Sequence, residues 1–509
     1  MTMRLNRRSF LATSAAAGAL AFVGPKGLRA ETGGMLRFGL SAYPPSFDAW
    51  ASSGSAAGTV KLMMHRGLLG FAPDGTMRGE LAESFEVDDA GTWTFKLRDA
   101  RWHDGSPVTS EDIAWNVAEA AKADSTAFFR GELQSVVKVD TPDARTIRMT
   151  TEEPSAVLPG WFAHFNMPMI KKGEAPDTTM GAGPFKLDKT DRGVSLSLSA
   201  FDGYYKEGLP KLAGIEVIVY ADENLRVAAL DAGDVDLIEY VPWQAMEQIE
   251  ADARLKLDAV DGPFMYLTFN AERPPFDDPR VRRAVAHAIK REDIVAAAFY
   301  GRGSALEHLP LAEGSDYYNA DLANGWAYDP DKAMALLAEA GHPNGFDCTL
   351  LATAQYGMHQ STAEVCQAYL SMVGINARLD LPEWATRVQK GNQGQYDLAV
   401  MGTTASNNDP DGMTQLIDGS LPASFVRSYG LKTPEITELL AKGRQTFKAA
   451  ERKTIYHQME AKALETTPIA GLAWRSQGFA MKAGVSGFTN MPGQLCFYSP
   501  ETLEETVLG

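Results

Sequence analysis

The sequence predicts an α/β fold, because short apolar strands alternate with amphipathic helices through most of the chain. Two helix starts support this pattern. Asp278-Pro279 and Asp329-Pro330 each combine an N-cap aspartate with a proline at the first helical position, where the missing N–H costs no hydrogen bond. Residues 76–200 are richer in strands and hairpins. We therefore expect largely parallel sheets and an inserted α+β subdomain.

The first half of the chain contains the less regular elements. Trp93, Phe95 and Leu97 alternate with polar residues, as on a half-buried strand. Thr109, followed three residues later by Asp112, predicts the start of a helix. A further helix is expected over 225–230, and other strands are expected over 35–40, 136–139, 146–149 and 215–220.

The second half repeats the strand–helix pattern more plainly. Helices are expected after Asp278 and after Asp329, and then over 361–373 and in two pieces over 434–464. Strands are expected over 264–269, 348–351, 375–381 and 397–401. This alternation is typical of strands connected by crossover helices.

The N-terminus predicts an export signal over residues 1–30. A basic start at Arg4, Arg7 and Arg8 precedes an uncharged stretch over 10–23, which is too short to cross about 30 Å of hydrocarbon. The pattern at residues 6–11 is similar to the twin-arginine export signal, although an ordinary secretory signal is the alternative. We expect a periplasmic protein with a net charge of −22 once the five cations of residues 1–30 are removed from the full-length −17.

Composition and motifs exclude several function classes. An acidic chain with 48 Lys and Arg against 65 Asp and Glu, and without a basic stripe, is a poor ligand for nucleic acid or anionic lipid. The sequence contains no GxSxG, GxxxxGK[ST], HExxH or CxxC motif, and its eight histidines are scattered. We expect no cofactor, no metal site and no enzymatic activity, although a ligand that carries its own metal stays open.

The three cysteines are too few for a disulfide scaffold. We expect Cys348, Cys366 and Cys496 to be small buried side chains, while a Cys348–Cys366 disulfide is the alternative in an oxidising compartment.

Three sequence blocks are more specific than this general pattern. The first runs from Trp93-Thr-Phe-Lys-Leu-Arg98 through Trp102-His-Asp-Gly-Ser-Pro-Val-Thr109, and the second from Tyr204-Tyr-Lys-Glu-Gly-Leu-Pro210 to Asp236. The third runs from Asn270 through Arg273-Pro-Pro-Phe-Asp-Asp-Pro-Arg-Val-Arg-Arg-Ala284 to Arg291. In this order the blocks resemble the family 5 extracellular solute-binding proteins, the dipeptide-, oligopeptide- and nickel-binding receptors of ATP-binding-cassette importers. The resemblance covers essentially all of 35–509.

The resemblance implies a bilobed periplasmic-binding-protein fold of type II, similar to the large cluster C receptors. Lobe I would comprise 31–75, 201–272 and 482–509, with the α+β subdomain at 76–200, and lobe II would comprise 273–481. It also implies a receptor, expected to be a monomer, that closes on a small solute and delivers it to membrane permease subunits. Most residues of the blocks themselves are expected to be scaffold.

Candidate ligand contacts follow the carboxyl ends of predicted strands, where ligands of α/β proteins gather. They are Tyr43, Tyr266 and Asn270 beside two strands, Trp384 at a helix start, and Thr403, Ser406, Asn407, Asn408 and Asp409 in one loop. Trp384 is favoured because the resembled family often directs this position into the cleft. For Tyr43, Tyr266 and Trp474, core packing is the stronger expectation.

The loop over 403–411 bears on ligand choice. The family's peptide receptors use an aspartate four residues before the proline to bind the ligand's ammonium, and here that position is Ser406; Thr403 replaces a common tryptophan. Asp409 and Asp411 could substitute, but turn formation and helix capping are their usual roles here. We therefore expect a ligand other than a free-amine peptide: sugars, opine-like conjugates, capped peptides and other small amides stay open.

Two other functions stay open at this point. An exported α/β hydrolase acting on glycosides or esters is the enzymatic alternative, with a pair of carboxylates in a cleft as its expected signature. A receptor that reports to a membrane sensor, or that chaperones a precursor, is the third hypothesis.

Overall fold

The structure is a computed structural model and describes residues 33–509. The predicted export signal at 1–30 lies outside the described residues. Within them, no helix combines the length and the apolar character needed to cross a membrane.

Helices and strands alternate as expected, with some additions. The helices are α1 Ser55–Met64, α2 Ser110–Ala120, α3 Arg130–Gln134, α4 Leu158–Ala163, α5 Glu223–Ala232, α6 Trp243–Ala251, α7 Pro279–Ala288, α8 Arg291–Phe299, α9 Pro330–Glu339, α10 Gly357–Met372, α11 Trp384–Asn392, α12 Thr414–Ile417, α13 Pro434–Gln445 and α14 Ala449–Thr466. Two 3₁₀ helices cover Pro410–Met413 and Gly493–Glu505.

The strands are β1 Gly33–Leu40, β2 Leu69–Phe71, β3 Met77–Gly79, β4 Ala82–Val87, β5 Trp93–Leu97, β6 Val136–Asp143, β7 Thr146–Thr151, β8 Phe185–Asp191, β9 Ser195–Ala200, β10 Leu212–Val219, β11 Leu237–Ile238, β12 Leu255–Phe269, β13 Gly303–Ala305, β14 Phe346–Leu351, β15 Ile375–Asp380, β16 Leu398–Thr403, β17 Ala470–Lys482, β18 Val485–Ser486 and β19 Val507–Leu508.

The predicted helix starts are confirmed by their capping bonds. Thr109 and Asp112 form a reciprocal capping box at α2. The carboxylates of Asp278 and Asp329 accept backbone N–H groups at the starts of α7 and α9, with proline at the first turn. Local sequence chemistry therefore determines where these helices begin.

The expectation of largely parallel sheets is wrong. Among residues 33–509, eleven strands form one mixed sheet in the order β15-β14-β16-β12-β17-β11-β1-β10-β9-β8, with β13 beside β17. β1 is parallel to β10 and β11, and β14 to β15 and β16, but β12 is antiparallel to both its neighbours. The long pair β12–β17 connects the two halves of this sheet. Of these two strands, only residues 264–269 of β12 were predicted from the sequence. A separate sheet has the order β4-β5-β7-β6 and carries the predicted hairpin.

Three large cores organise the described chain. We call the part built on the core from Phe264 to Trp474 the second lobe. The first lobe contains one core around Leu36, Phe38 and Ile215 and another beneath the four-stranded sheet, around Phe95 and Trp102. The C-terminal 3₁₀ helix contributes Leu495 and Tyr498 to the latter core, so the end of the chain completes the hydrophobic core of the first lobe.

The three cysteines are free and buried, as expected. Cys348 is 8% exposed, and Cys366 and Cys496 are fully buried. The alternative Cys348–Cys366 disulfide is not formed.

A buried charge network connects distant parts of the first lobe. Arg66 lies 2.9 Å from Glu504 and 3.5 Å from Glu80, and both carboxylates also pair with Lys206 at 2.6 and 2.7 Å. The Tyr204 hydroxyl donates to Glu504 at 2.6 Å. Tyr204 and Lys206 belong to the second sequence block, so that block stabilises the lobe, as the scaffold expectation requires. Removing one partner of such a network leaves a buried charge uncompensated.

Glu501 borders this network but forms no ion pair of its own within residues 33–509. Its carboxylate accepts the backbone N–H of Phe71 at 3.1 Å. Burial, together with the nearby charge of Glu80, raises the pKa of Glu501 to about 7. The unfolded chain releases this proton near the ordinary pKa of 4.5, whereas the folded chain keeps it until about pH 7.

We predict that the difference in free energy of unfolding between Glu501→Gln and the parent shifts in favour of the variant as pH rises from about 4.5 to about 7. The folded-state pKa is raised, so the parent loses stability over this window, by up to about 3 kcal/mol. Glutamine retains the acceptor for Phe71 and has no proton to lose. Urea unfolding at several pH values measures the difference. Glu451→Gln, in an exposed ion pair with Lys448, is the control and should show no comparable trend. A constant difference across the window would contradict the role of Glu501.

Candidate ligand-binding site

A bulge divides the β12–β17 pair into two halves. Residues 255–261 pair with 476–482 in the first lobe, and 264–269 lie beside 470–474 in the second. The register shifts between Asp261 and Phe264, which leaves Gly262 and Pro263 out of the regular ladder and opposite Arg475. Because the ladder is weakest at this point, we assign the hinge between the lobes to the bulge.

The two lobes are in contact beside this bulge, because a Cβ atom added at Gly262 would lie 2.2 Å from the carbonyl oxygen of Gly493, the neighbour of Gln494. The Tyr498 hydroxyl of the first lobe donates to the Ser406 carbonyl at 2.8 Å, and the Gln494 N–H donates to Asn408 Oδ1 at 3.0 Å. Trp93 of the four-stranded sheet lies 6.1 Å from the Phe447 ring of the second lobe. The segment around Gln494 thus connects the first lobe to the second next to the bulge.

An aromatic cluster lies at the carboxyl ends of β14, β15 and β16. The Trp384 ring packs edge-on against Tyr356, His359 and Phe425, with ring centres 5.5, 5.8 and 6.0 Å away. Tyr356 is 41% exposed, whereas His359 is 2% exposed. The cluster thus extends from the protein surface into the second lobe.

Arg387 lies at the buried end of this cluster. Its Cζ atom is 5.6 Å from the centre of the Trp384 ring and 5.7 Å from that of Phe425, and its side chain is fully buried. Nη2 donates to the Val400 carbonyl at 2.8 Å, but Nε and Nη1 have no partner within residues 33–509. Burial lowers the pKa of Arg387 to about 10, and no carboxylate offsets it.

Arg291 shows how an equally buried arginine is satisfied when its role is structural. Its three guanidinium nitrogens donate to five backbone carbonyls, those of Ala286, Ile289, Leu306, Trp326 and Gly471. A buried donor without a partner costs about 1–3 kcal/mol. Arg387 therefore has two buried nitrogens without an acceptor, whereas every guanidinium nitrogen of Arg291 has one.

His359 and Arg475 extend the same electropositive region toward the hinge. Burial, with the charges of Arg387 and Arg475, lowers the pKa of His359 to about 3, so the imidazole is neutral at physiological pH. Nδ1 of His359 and Nε of Arg475 are buried without a hydrogen-bond partner in the described chain. Two guanidinium groups thus flank a neutral imidazole, and no acidic side chain pairs with either guanidinium among residues 33–509.

Two of the residues predicted from sequence lie at or beside this region. Trp384 is part of the cluster. Tyr266 is fully buried behind Arg387, its hydroxyl donates to the Val426 carbonyl at 2.8 Å, and its ring packs 5.6 Å from Phe264.

The other single residues have scaffold partners. Asn270 is 3% exposed and donates to the Gly394 and Tyr396 carbonyls at 2.9 and 3.2 Å. Tyr43 packs edge-on against Phe47, with 6.5 Å between ring centres, beside the first-lobe core. Trp474 packs against Phe264 and is 7% exposed.

The predicted loop lies at the contact between the lobes. Thr403 bonds to the Thr404 carbonyl, and Asn407 Oδ1 accepts the Asp409 N–H at 2.9 Å. Asp409 caps the first 3₁₀ helix and pairs with Arg452 at 2.6 Å, so its carboxylate is already neutralised. Ser406 is half-buried, and its carbonyl accepts from Tyr498.

Sequence reasoning missed Tyr356, His359, Arg387 and Arg475. Arg387 follows Trp384 by three residues, so both lie on one face of α11, and this spacing was the available signal. No comparable signal identified Arg475, because β17 was not predicted. Within residues 33–509, no cluster of three or more His, Cys, Asp or Glu side chains could hold a metal ion.

Comparisons with known proteins identify the family and the fold. The profile of the bacterial extracellular solute-binding proteins, family 5, middle region, matches residues 76–425. The glutathione-binding protein GsiB of Pectobacterium atrosepticum is 28% identical over 478 residues, covering 90% of this chain and 92% of the relative.

Solved structures extend the comparison to the fold. The periplasmic binding protein AgaA of A. tumefaciens R10, in complex with agropinic acid, is 39% identical with a TM-score of 0.81, over 93% of this chain and 99% of that chain. The periplasmic binding protein DppA of Helicobacter pylori, in complex with the peptide STSA, is 21% identical with a TM-score of 0.78, over 94% and 98%. The second likeness shows the fold alone.

We predict that Arg387→Met leaves the free energy of unfolding of the ligand-free protein unchanged or raises it. Methionine fills the space between Trp384 and Phe425 without burying an unpaired charge. The matched control, Arg291→Met, removes a guanidinium that satisfies five carbonyls and should lose more than about 3 kcal/mol. Urea unfolding of ligand-stripped protein measures both variants. A loss for Arg387→Met as large as the control's would assign Arg387 to the scaffold.

Proposed function

The chain belongs to the family 5 bacterial extracellular solute-binding proteins, and we propose that it captures a small, acidic, opine-like solute for an ATP-binding-cassette importer. The solute is enclosed between the two lobes beside Trp384 and Arg387 and is released unchanged to membrane permease subunits. The receptor works as a monomer on the outer side of the cytoplasmic membrane, binds no nucleic acid and performs no bond chemistry.

The unpaired guanidinium of Arg387 is the observation that carries this proposal. A carboxylate placed at Nε or Nη1 would form charge-assisted hydrogen bonds in a region from which water is largely excluded. His359 is neutral and can donate or accept a single hydrogen bond from Nδ1. The aromatic faces of Trp384 and Tyr356 suit the apolar side of a polar organic molecule.

Two further observations favour an acid over a free-amine peptide. Ser406 provides no anionic partner for an ammonium group, and the carboxylate of Asp409 is engaged by Arg452. An enclosed ammonium without a carboxylate would lose several kcal/mol of solvation. The 39% identical AgaA was solved with agropinic acid, which supports an acid of this type.

The hydrolase alternative has less support. The similarity to solute-binding proteins extends over most of the chain, and the candidate site is cationic rather than a pair of carboxylates. A receptor also explains the hinge between two lobes that contact each other across a cleft.

We predict that agropinic acid binds the ligand-stripped protein and raises its melting temperature, while mannitol does not. At a ligand concentration 100-fold above Kd, binding stabilises the folded state by about 2.7 kcal/mol. Arg387→Met should weaken binding at least about 30-fold, because it removes one partner of a buried charge pair. Calorimetric titration with agropinic acid, glutathione, the dipeptide Met-Leu and mannitol measures the preference. Arg280→Met, an exposed arginine of α7, is the matched control and should retain the parent affinity.

The outcomes separate the possibilities. Binding of mannitol in preference to both acids would refute the acidic ligand while leaving a receptor. Turnover of a chromogenic glycoside or ester, lost on mutating one carboxylate, would refute the receptor itself.

We predict that Ser406→Asp shifts the preference toward Met-Leu and away from agropinic acid. The new carboxylate supplies the anionic partner that an ammonium group needs and repels an acid. Ser371→Asp, on the exposed surface of α10, makes the same change in net charge away from the site and should leave the preference unchanged. An unchanged preference in Ser406→Asp would show that this loop position does not face the ligand.

A further inference from the structure

Tyr240 has a strained backbone that the surrounding structure holds in place. Its φ angle is 49°, in the left-handed region that side chains other than glycine rarely adopt. The buried Arg226 donates from Nε to the Glu239 carbonyl at 2.9 Å and from Nη2 to the Tyr240 carbonyl at 2.8 Å. Strain of this kind persists where contacts over-determine it, and it concentrates at functional sites.

This backbone conformation directs the Tyr240 side chain toward the hinge. Its ring lies 6.0 Å from the ring of Phe497 in the C-terminal 3₁₀ helix. The ionisable groups that act on the pKa of Arg475 are Tyr240 and Cys496, both from the first lobe. Cys496, the neighbour of Phe497, lies against the bulge, because a Cβ atom added at Gly262 would lie 2.9 Å from its Sγ atom, so the segment that packs on Tyr240 reaches the point opposite Arg475.

Arg475 lacks a protein partner at this position. Its Nε atom is buried without a hydrogen bond, and no ion pair within residues 33–509 includes its guanidinium. The carboxylate that immediately precedes the bulge along β12, that of Asp261, accepts the hydroxyls of Ser304 and Ser476 at 2.6 and 2.8 Å. The guanidinium thus retains hydrogen-bond donors and a positive charge for an external group.

The register gives the spacing, along β12, of the backbone positions beside which the two arginines lie. Arg387 bonds to Val400, which lies opposite Leu267 on β12, and Arg475 lies opposite the bulge at 262–263. Four residues of strand correspond to about 13 Å. His359 lies between these two positions. Gly402 is opposite Met265 on β12, and a methyl group added at Gly402 would lie 3.3 Å from the Nε2 atom of His359.

We propose that Arg475 and Tyr240 form a second subsite, at the hinge, which binds the carboxylate or carbonyl oxygens at the far end of an elongated ligand. This inference rests on the proposed function, since it gives the ligand of the same cleft a second polar end. Because Tyr240 comes from the first lobe and His359 from the second, a group bound at Arg475 contacts both lobes and stabilises the closed form.

The first test is calorimetric titration of Arg475→Gln and Tyr240→Phe with agropinic acid. Arg475→Gln should weaken binding at least about 30-fold, as for loss of one partner of a buried charge pair. Tyr240→Phe keeps the ring beside Phe497 and should weaken it several-fold. Arg302→Gln, on the neighbouring strand connection and paired with Glu250, is the matched control with unchanged affinity. Parent-like unfolding midpoints for all three variants would show that the losses are not caused by misfolding.

The second test does not depend on the identity of the ligand. Acetate is titrated into full-length mature protein labelled with ¹⁵N at arginine, and the Nε–H signal missing from Arg475→Gln is followed. A saturable shift of that signal supports the subsite even if agropinic acid does not bind. Failure of agropinic acid to bind would refute the proposed ligand class and not the subsite. Parent affinity in Arg475→Gln, or no shift of the Arg475 signal with acetate, would overturn the inference.

Discussion

The antiparallel pair β12–β17 is the constraint on which the rest of the structure depends. Each strand begins in one lobe and ends in the other, so the two halves of the large sheet are joined through one ladder. On either side of the bulge, the backbone groups are satisfied by neighbouring strands, which makes each half stiff. At Gly262 and Pro263 the ladder is interrupted between the halves that belong to different lobes, which is why we assign the hinge to this point. The side chain opposite this point, Arg475, is placed where it can respond to movement at the hinge.

Buried cations distinguish the scaffold from the site. Arg66 is neutralised by Glu80 and Glu504, and Arg291 is satisfied by five carbonyls. Arg387 is fully buried and Arg475 is half-buried, and neither guanidinium forms an ion pair within residues 33–509. An unbonded Nε atom is not the distinction, because Arg66 Nε also lacks a hydrogen bond although Arg66 is paired with carboxylates. A protein that only needed stability would have no use for Arg387 and Arg475, since apolar residues of similar size would be at least as stable there. The proposed anionic ligand would provide the missing compensation.

Features that depend on residues close together in the sequence were predicted, and features that depend on residues far apart in the sequence were not. Capping at Thr109, Asp278 and Asp329 was predicted because the donor and acceptor lie within three residues of each other. β17 was missed because its apolar residues do not alternate with polar ones but run together on both sides of Arg475, Ser476 and Gln477. Trp384 was identified from family resemblance, whereas Arg387, three residues later, was not. Its significance depends on which acceptors are absent, and a sequence does not contain that information.

The sequence by itself determined the family, the order of most strands and helices, and the missing anionic residue at Ser406, because these are properties of local pattern and motif. Only the tertiary structure decided which charges are paired. Glu504 reaches Arg66 across more than 400 residues, and Arg475 meets Tyr240 across 235, through a fold that brings the first lobe's separate segments together. Electrostatic compensation depends on distance in space and on burial, and neither is encoded in the spacing of residues along the chain. For that reason the proposal of an acidic ligand follows from the fold and not from the net charge of the protein, which is itself strongly negative.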